Sequence, residues 1–141
     1  MDDPYHLQRF VEAQDPIYEA VLDELRSGLK TGHWMWFVFP QIKGLGFSSM
    51  ARRFDIASLE EAGAYLEHPI LGSRLRECTH VLNELEGRTI RQIFGQPDDL
   101  KFRSSMTLFA KVAQADQIFQ TALGKYCEGK QDPFTLGILG Q

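Results

Sequence analysis

Cysteine is scarce in this chain of 141 residues, with only Cys78 and Cys127 and no C-x-x-C spacing. Neither a zinc knuckle nor a disulfide framework is expected from so little thiol. His6, His33, His68 and His80 show no H-x-x-x-H spacing, so no metal site is expected, and nothing in the sequence calls for a cofactor. Long apolar runs are also missing. The longest is Trp34 to Phe39, far below the roughly 20 residues of a membrane span. The stretch from Met1 to Phe10 is acidic and carries Pro4, unlike a signal peptide. A cytoplasmic protein with reduced thiols is the expectation. There is no excess of positive charge, since 15 Lys and Arg face 19 Asp and Glu. A net charge of -4 and a pI near 5.5 give no electrostatic footprint for nucleic acid. Period-2 alternation, internal repeats and linkers are absent too, so neither a sheet nor a second domain is expected.

What is present is apolar material for a core: 43% hydrophobic residues, ten of them Phe. A disordered chain has no such content, and the length suits one domain over residues 1–141. Proline stands where helices would open. Asp3-Pro4, Asp15-Pro16, His68-Pro69 and Asp132-Pro133 each precede an apolar periodic segment. Proline loses nothing at a first helical position, and the Asp before it can accept the free N–H groups there. The spacing predicts helices from about Pro4 to Ala13 and from Pro16 to a stop at Gly32. Ser48–Phe54 reads as a short helix. Ser58 opens another through an S-x-x-E capping box with Glu61. Leu71, Leu75, Cys78, Leu82 and Leu85 mark a longer one, ending at Gly87. Thr89–Phe94 is short, Asp98 or Asp99 caps a longer helix, and Asp116–Cys127 and Pro133–Leu139 follow. The predicted fold is all-α, a compact single-domain bundle of about seven to nine helices with irregular packing.

The least ordinary segment is HWMWFVFPQIKGLGFSSMARR, from His33 to Arg53. Its aromatic half suits either a β-strand or a short buried helix ending before Pro40. The helix agrees better with its surroundings, because an isolated strand has no partner. Trp and Phe at this density are commonly core, yet one or two indoles can line a pocket and stack a planar ligand. In the second half, Gly44 and Gly46 leave backbone N–H groups unshielded. Ser48 and Ser49 then open a helix, a pattern that attracts anions. The plainer reading is a turn and a serine cap, since neither G-x-x-x-x-G-K-[ST] nor G-x-G-x-x-G is present.

Other chemistry is harder to place. Cys78 falls on an apolar stripe, Cys127 has no His partner, and the serines lack a G-x-S-x-G elbow, so no catalytic residue is assigned. His33 could act as an acid or base, although such a histidine is more often a surface or capping group. In KFRSSMTLF, from Lys101 to Phe109, the small hydroxyls indicate close helix packing in preference to a cleft. The pairs Glu60–Glu61 and Asp98–Asp99 are explained as charges in first turns of helices.

The motifs HWMWFVFPQIKGLGFSS (His33–Ser49), YLEHPILGSRL (Tyr65–Leu75), LKFRSSMTLF (Leu100–Phe109) and DPFTLGIL (Asp132–Leu139) resemble a bacterial and fungal family of unknown function that often carries the label "calpastatin". The resemblance implies a compact all-helical domain and no established activity. Calpain inhibition does not suit this chain, because true calpastatins are disordered and Pro- and Lys-rich. A more distant similarity is to NADAR-type domains, which act on N-glycosidic bonds of ADP-ribose-like or riboflavin-intermediate substrates. The features shared with them are too generic to carry catalytic roles across.

The sequence thus points to a small-molecule-binding domain or enzyme for an anionic, planar, nucleotide-like ligand. The candidate binding residues are Trp34, Trp36, Gln41, Lys43, Gly44, Gly46, Ser48, Ser49 and Arg52. The alternatives are a protein–protein or dimerisation module using the aromatic run, and an N-glycosidase-type hydrolase. Either a monomer or a homodimer fits.

Overall fold

The computed structural model describes residues 2–113 and 116–140; positions 1, 114, 115 and 141 of the expected single domain lie outside them. Ten α-helices occur among the described residues, one more than the upper expectation, and no strand does. They are α1 (Gln8–Gln14), α2 (Tyr18–Ser27), α3 (Met35–Val38), α4 (Ser49–Arg53), α5 (Leu59–Glu67), α6 (Leu71–Glu84), α7 (Ile90–Phe94), α8 (Asp98–Val112), α9 (Ile118–Tyr126) and α10 (Pro133–Leu139). Helix α8 packs against α5, α7, α9 and α10, and α6 packs against α2, α5 and α9. All residues from Ser104 to Ala110 are buried. A helix enclosed on every side in this way is the centre of a fold.

The X-Pro pairs behave in four different ways. Asp132 acts as expected: its side chain accepts from Thr135 N at 3.1 Å, and Pro133 takes the first helical position. Asp3 also caps, but α1 begins four residues beyond Pro4, because the Asp3 oxygens accept from Leu7 N at 2.7 Å and Gln8 N at 3.0 Å. Asp15 does not cap; it pairs with Arg74 at 2.8 Å. At the fourth pair His68 Nδ1 accepts from Ile70 N and Leu71 N, both at 3.2 Å. Other boundaries also shift. Gly28, in the left-handed region at φ +73°, ends α2 in place of Gly32. Asp98 does not cap α8, since its carboxylate binds Lys30 at 2.9 Å. Helix α6 stops at Glu84, before Gly87. The Ser58 box is half formed. Ser58 Oγ accepts from Glu61 N at 3.1 Å, but the buried Glu61 carboxylate turns to Ala57 N and to Arg9, at 3.2 and 3.1 Å.

The aromatic run divides between two clusters. Trp34 and Phe39 join Phe94 and Phe102, with Phe39–Phe102 and Phe94–Phe102 centroids 5.2 and 5.3 Å apart. Phe37 instead meets Phe54, which meets Phe10. Tyr65 contacts Phe10 and Phe109 and so carries this second cluster to α8. The run is helical over Met35–Val38, as the helical surroundings suggest. Extended character appears just after it, as an isolated parallel bridge between Ile42 and Ile56.

Two glycines provide a test of this packing. A Cβ on Gly72 would lie 2.0 Å from the Leu66 carbonyl oxygen, whereas one on Gly124 would meet nothing within 4 Å. Gly72→Ala should therefore destabilise by about 3 kcal/mol, as rigid overpacking does. Gly124→Ala, within α9, should stabilise by about 0.5–1 kcal/mol through lower unfolded-state entropy. Urea midpoints of the two variants check both signs.

Candidate functional site

A cleft of about 520 Å³ opens between the segment following α3, the first half of α8 and the start of α10. That size suits a small organic ligand. Its walls are mostly apolar: Met35, Trp36, Phe39, Leu45, Phe47, Leu100 and Phe134 all face it. Trp36 is the half-buried side chain of α3, a single turn whose other residues Met35, Phe37 and Val38 are buried. At the rim, Phe47 is 75% exposed, Phe134 73% and Leu100 58%. Phe side chains with so much surface in water are a costly arrangement for a fold alone.

Polar groups enter the cleft from three places. Gln41 and Asp55 are brought together by the Ile42–Ile56 bridge, in which Ile56 N donates to Gln41 O and Lys43 N to Ile56 O, both at 2.8 Å. Phe54 and Ile56 are buried, and Asp55 between them is half-buried and lines the cleft. The Asp55 backbone carbonyl is held by Arg9 Nη2 at 2.8 Å, and its carboxylate takes no hydrogen bond among the described residues. Burial pushes the Asp55 carboxyl above the usual range, against a smaller opposing pull from Lys43 and Arg9. Lys101 and Arg103 come from α8. Lys101 Nζ lies 5.4 Å from the Trp36 ring centroid and 3.5 Å from Asp98. Arg103 donates to the carbonyls of Lys130 and Gln131 at 2.9 and 2.6 Å.

The third contribution is Asp132, at the start of α10. Its Oδ2 accepts from Ser104 Oγ at 3.0 Å, Thr135 N at 3.1 Å and Thr135 Oγ1 at 2.6 Å. Its backbone N–H donates to Thr107 Oγ1 at 2.9 Å. The hydroxyls of KFRSSMTLF thus serve both roles considered for them. Thr107 ties α8 to Asp132 inside the packing, and Ser104 also lines the cleft.

The nine residues singled out from the sequence separate. Trp36, Gln41, Gly46 and Ser48 line the cleft. Trp34 does not; it is 3% exposed, and its indole N–H donates to Glu24 at 3.0 Å, so it is a core residue. Lys43, Gly44, Ser49 and Arg52 are exposed and outside the cleft. Ser48 Oγ accepts from Ala51 N at 3.1 Å, which is the plain serine-cap arrangement. Gly46 is needed for proximity, since a Cβ there would sit 2.6 Å from the Ala51 Cβ. Among the described residues no three His, Cys, Asp or Glu side chains form a metal-binding group. Both cysteines are free, with Cys78 buried, and no helix is long and apolar enough to cross a membrane. The sequence reading missed Asp55 and Phe134, and took Asp132 only as a cap. The Asp-Pro pair did locate Asp132, but nothing local to Asp55 marks it.

Comparison with known proteins places these features in a family. Residues 4–139 match the family described as "Protein of unknown function (DUF1810)". The chain is also similar to the conserved hypothetical protein Rv1873 from Mycobacterium tuberculosis, known from a crystal structure. The two are 56% identical, with a TM-score of 0.97 over 99% of each chain. No curated protein matches.

The environment of Asp55 sets a pH dependence. Its folded-state pKa lies above the unfolded value of 3.8, so the folded protein holds this proton more tightly. Stability therefore falls as pH rises from that value through the raised one, and the cost of the buried charge is complete above it. Asp55→Asn removes the cost. The variant should have a higher Tm than the unaltered protein at about pH 7, with the gain shrinking toward about pH 3, where both side chains are neutral. A Tm difference independent of pH would contradict this account.

Proposed function

The chain belongs to the DUF1810 family of proteins of unknown function, and from that premise we propose that it binds a small planar molecule, of the size of a nucleobase or similar heterocycle, in the cleft beside Trp36. One observation carries the proposal: a 520 Å³ apolar cleft in which Trp36, Phe47 and Phe134 surround the polar groups of Gln41, Asp55 and Asp132. Aromatic faces supply stacking area, and a few placed polar groups supply orientation. The planar part of the expected nucleotide-like ligand is thus supported better than the anionic part. Lys101 and Arg103, the cations of the cleft, are already engaged by Asp98 and by two backbone carbonyls. Calpain inhibition forms no part of this reading, since this chain is folded. If the bound molecule is turned over, Asp55 is the residue placed to carry a proton, and cleavage of a glycosidic bond to a ring base is one such reaction.

A second reading has a specific observation in its favour. Phe47, Leu100 and Phe134 are exposed around one opening, and contiguous apolar surface of this kind also marks protein contacts. The expected dimer module would then use this rim, because Trp34 is inside the core.

Tryptophan fluorescence separates the readings. Trp34→Phe leaves Trp36 as the only indole in the chain. Titrating that variant with nucleobases, nucleosides and aromatic heterocycles should change the Trp36 emission saturably. Trp36→Ala should weaken any such ligand by tenfold or more, about 1.4 kcal/mol, as read from thermal shift. No response to any ring compound, together with self-association in sedimentation that Phe134→Ser removes, would overturn the small-molecule reading in favour of the interface.

A further inference from the structure

Asp132 has more carboxylate than its structural role uses. All three of its side-chain hydrogen bonds converge on Oδ2, which alone caps α10 and binds Ser104. Oδ1 accepts none among the described residues, although Asp132 is only 8% exposed and lines the cleft. Oδ1 is not among the fully enclosed atoms that lack a partner, so it is open to the cleft. Asp55, the second carboxylate lining the cleft, also takes no side-chain hydrogen bond, and no described cation forms an ion pair with either. Lys101 goes to Asp98, and Arg103 goes to the carbonyls of Lys130 and Gln131. The cleft lining is mostly apolar, so a ligand that covers the two carboxylates must itself supply donors to them.

We infer that the cleft selects a planar ligand with an N–H-rich edge of the amidine, guanidine or 2-aminopyrimidine type, donated to Asp132 Oδ1 and Asp55 while the ring lies against Trp36. This rests on the small-molecule reading above and specifies its ligand class. An amidine-type edge can make two parallel N–H···O bonds to Asp55, whose carboxylate oxygens both take no hydrogen bond among the described residues, and a further N–H can reach Asp132 Oδ1; the charge-assisted form is the strong one. The two carboxylates disfavour an anionic ring by like charge in a partly dry site. A neutral ring without donors would leave both oxygens unpaired.

The test uses three probes of one shape: 2-aminobenzimidazole, benzimidazole and benzimidazole-2-carboxylate, titrated into the Trp34→Phe protein with Trp36 emission as the readout. The amino compound should bind at least tenfold tighter than benzimidazole, and the carboxylate weakest. Asp55→Asn and Asp132→Asn should each reduce that preference severalfold, with far-UV circular dichroism confirming the fold. Asp55→Asn alone decides the matter if Asp132→Asn weakens α10. Equal binding of the three probes, or preference for the carboxylate, would overturn the ligand class while leaving the cleft as a binding site. A preference that survives in every folded variant would overturn the assignment to these two residues. No emission change with any probe would overturn both this inference and the reading beneath it.

Discussion

The burial of α8 is the constraint on which the rest of this molecule depends. Seven consecutive residues, Ser104 to Ala110, have no solvent face. Four helices are needed to cover them. Of the three hydroxyls that α8 carries there, Ser105 Oγ has no hydrogen-bond partner among the described residues, while the other two are paired. Thr107 pairs with Arg103 O and Asp132 N, and Ser104 with Leu100 O and Asp132. Asp132 is thereby fixed to the central helix by two side chains from adjoining turns. The position of α10, and with it one wall of the cleft, follows from how α8 pairs its polar groups.

The opposite wall follows from the aromatic run. The four side chains of α3 point around a full circle, and three of them, Met35, Phe37 and Val38, are buried. Phe37 is drawn to the cluster with Phe54 and Phe10, and Trp34 and Phe39 to the one with Phe94 and Phe102. Trp36 is the side chain left over, and it meets Lys101 across the cleft. Glu24 holds the approach to this turn. Its Oε1 accepts from Thr31 N, Gly32 N and Trp34 Nε1 at 2.7, 2.9 and 3.0 Å. Burial alone would raise the Glu24 pKa, but these donors outweigh it and lower the value. The cleft wall and part of the core are thus made from one continuous segment, sorted by which direction each residue faces.

Where a signal was local, it was readable. The Ser48 and Asp132 caps formed as their side chains suggested, and Ser58 formed its half of the expected box. Of the apolar stripe Leu71, Leu75, Cys78, Leu82 and Leu85, the first four are buried as their spacing required, and Leu85 is half-buried past the end of α6. Misplaced boundaries had distant causes. Asp15 and Asp98 were drawn away from capping by Arg74 and Lys30, and Glu61 by Arg9. A carboxylate prefers a charged partner to a neutral N–H when both are within reach, and that reach depends on the assembled fold.

The same division holds for the site. The sequence by itself determined an all-helical domain, because apolar periodicity and capping are properties of a few neighbouring residues. It also determined that the His33–Arg53 stretch would matter, because aromatics and glycines at that density constrain the chain wherever they fall. Only the tertiary structure decided which aromatics face the cleft. It alone set Asp55 beside Gln41, through a bridge between Ile42 and Ile56. It alone turned the cap residue Asp132 into a cleft wall, through bonds to Ser104 and Thr107, 28 and 25 positions away. Contacts of that separation are fixed by how whole helices pack, and no local pattern of residue types encodes them.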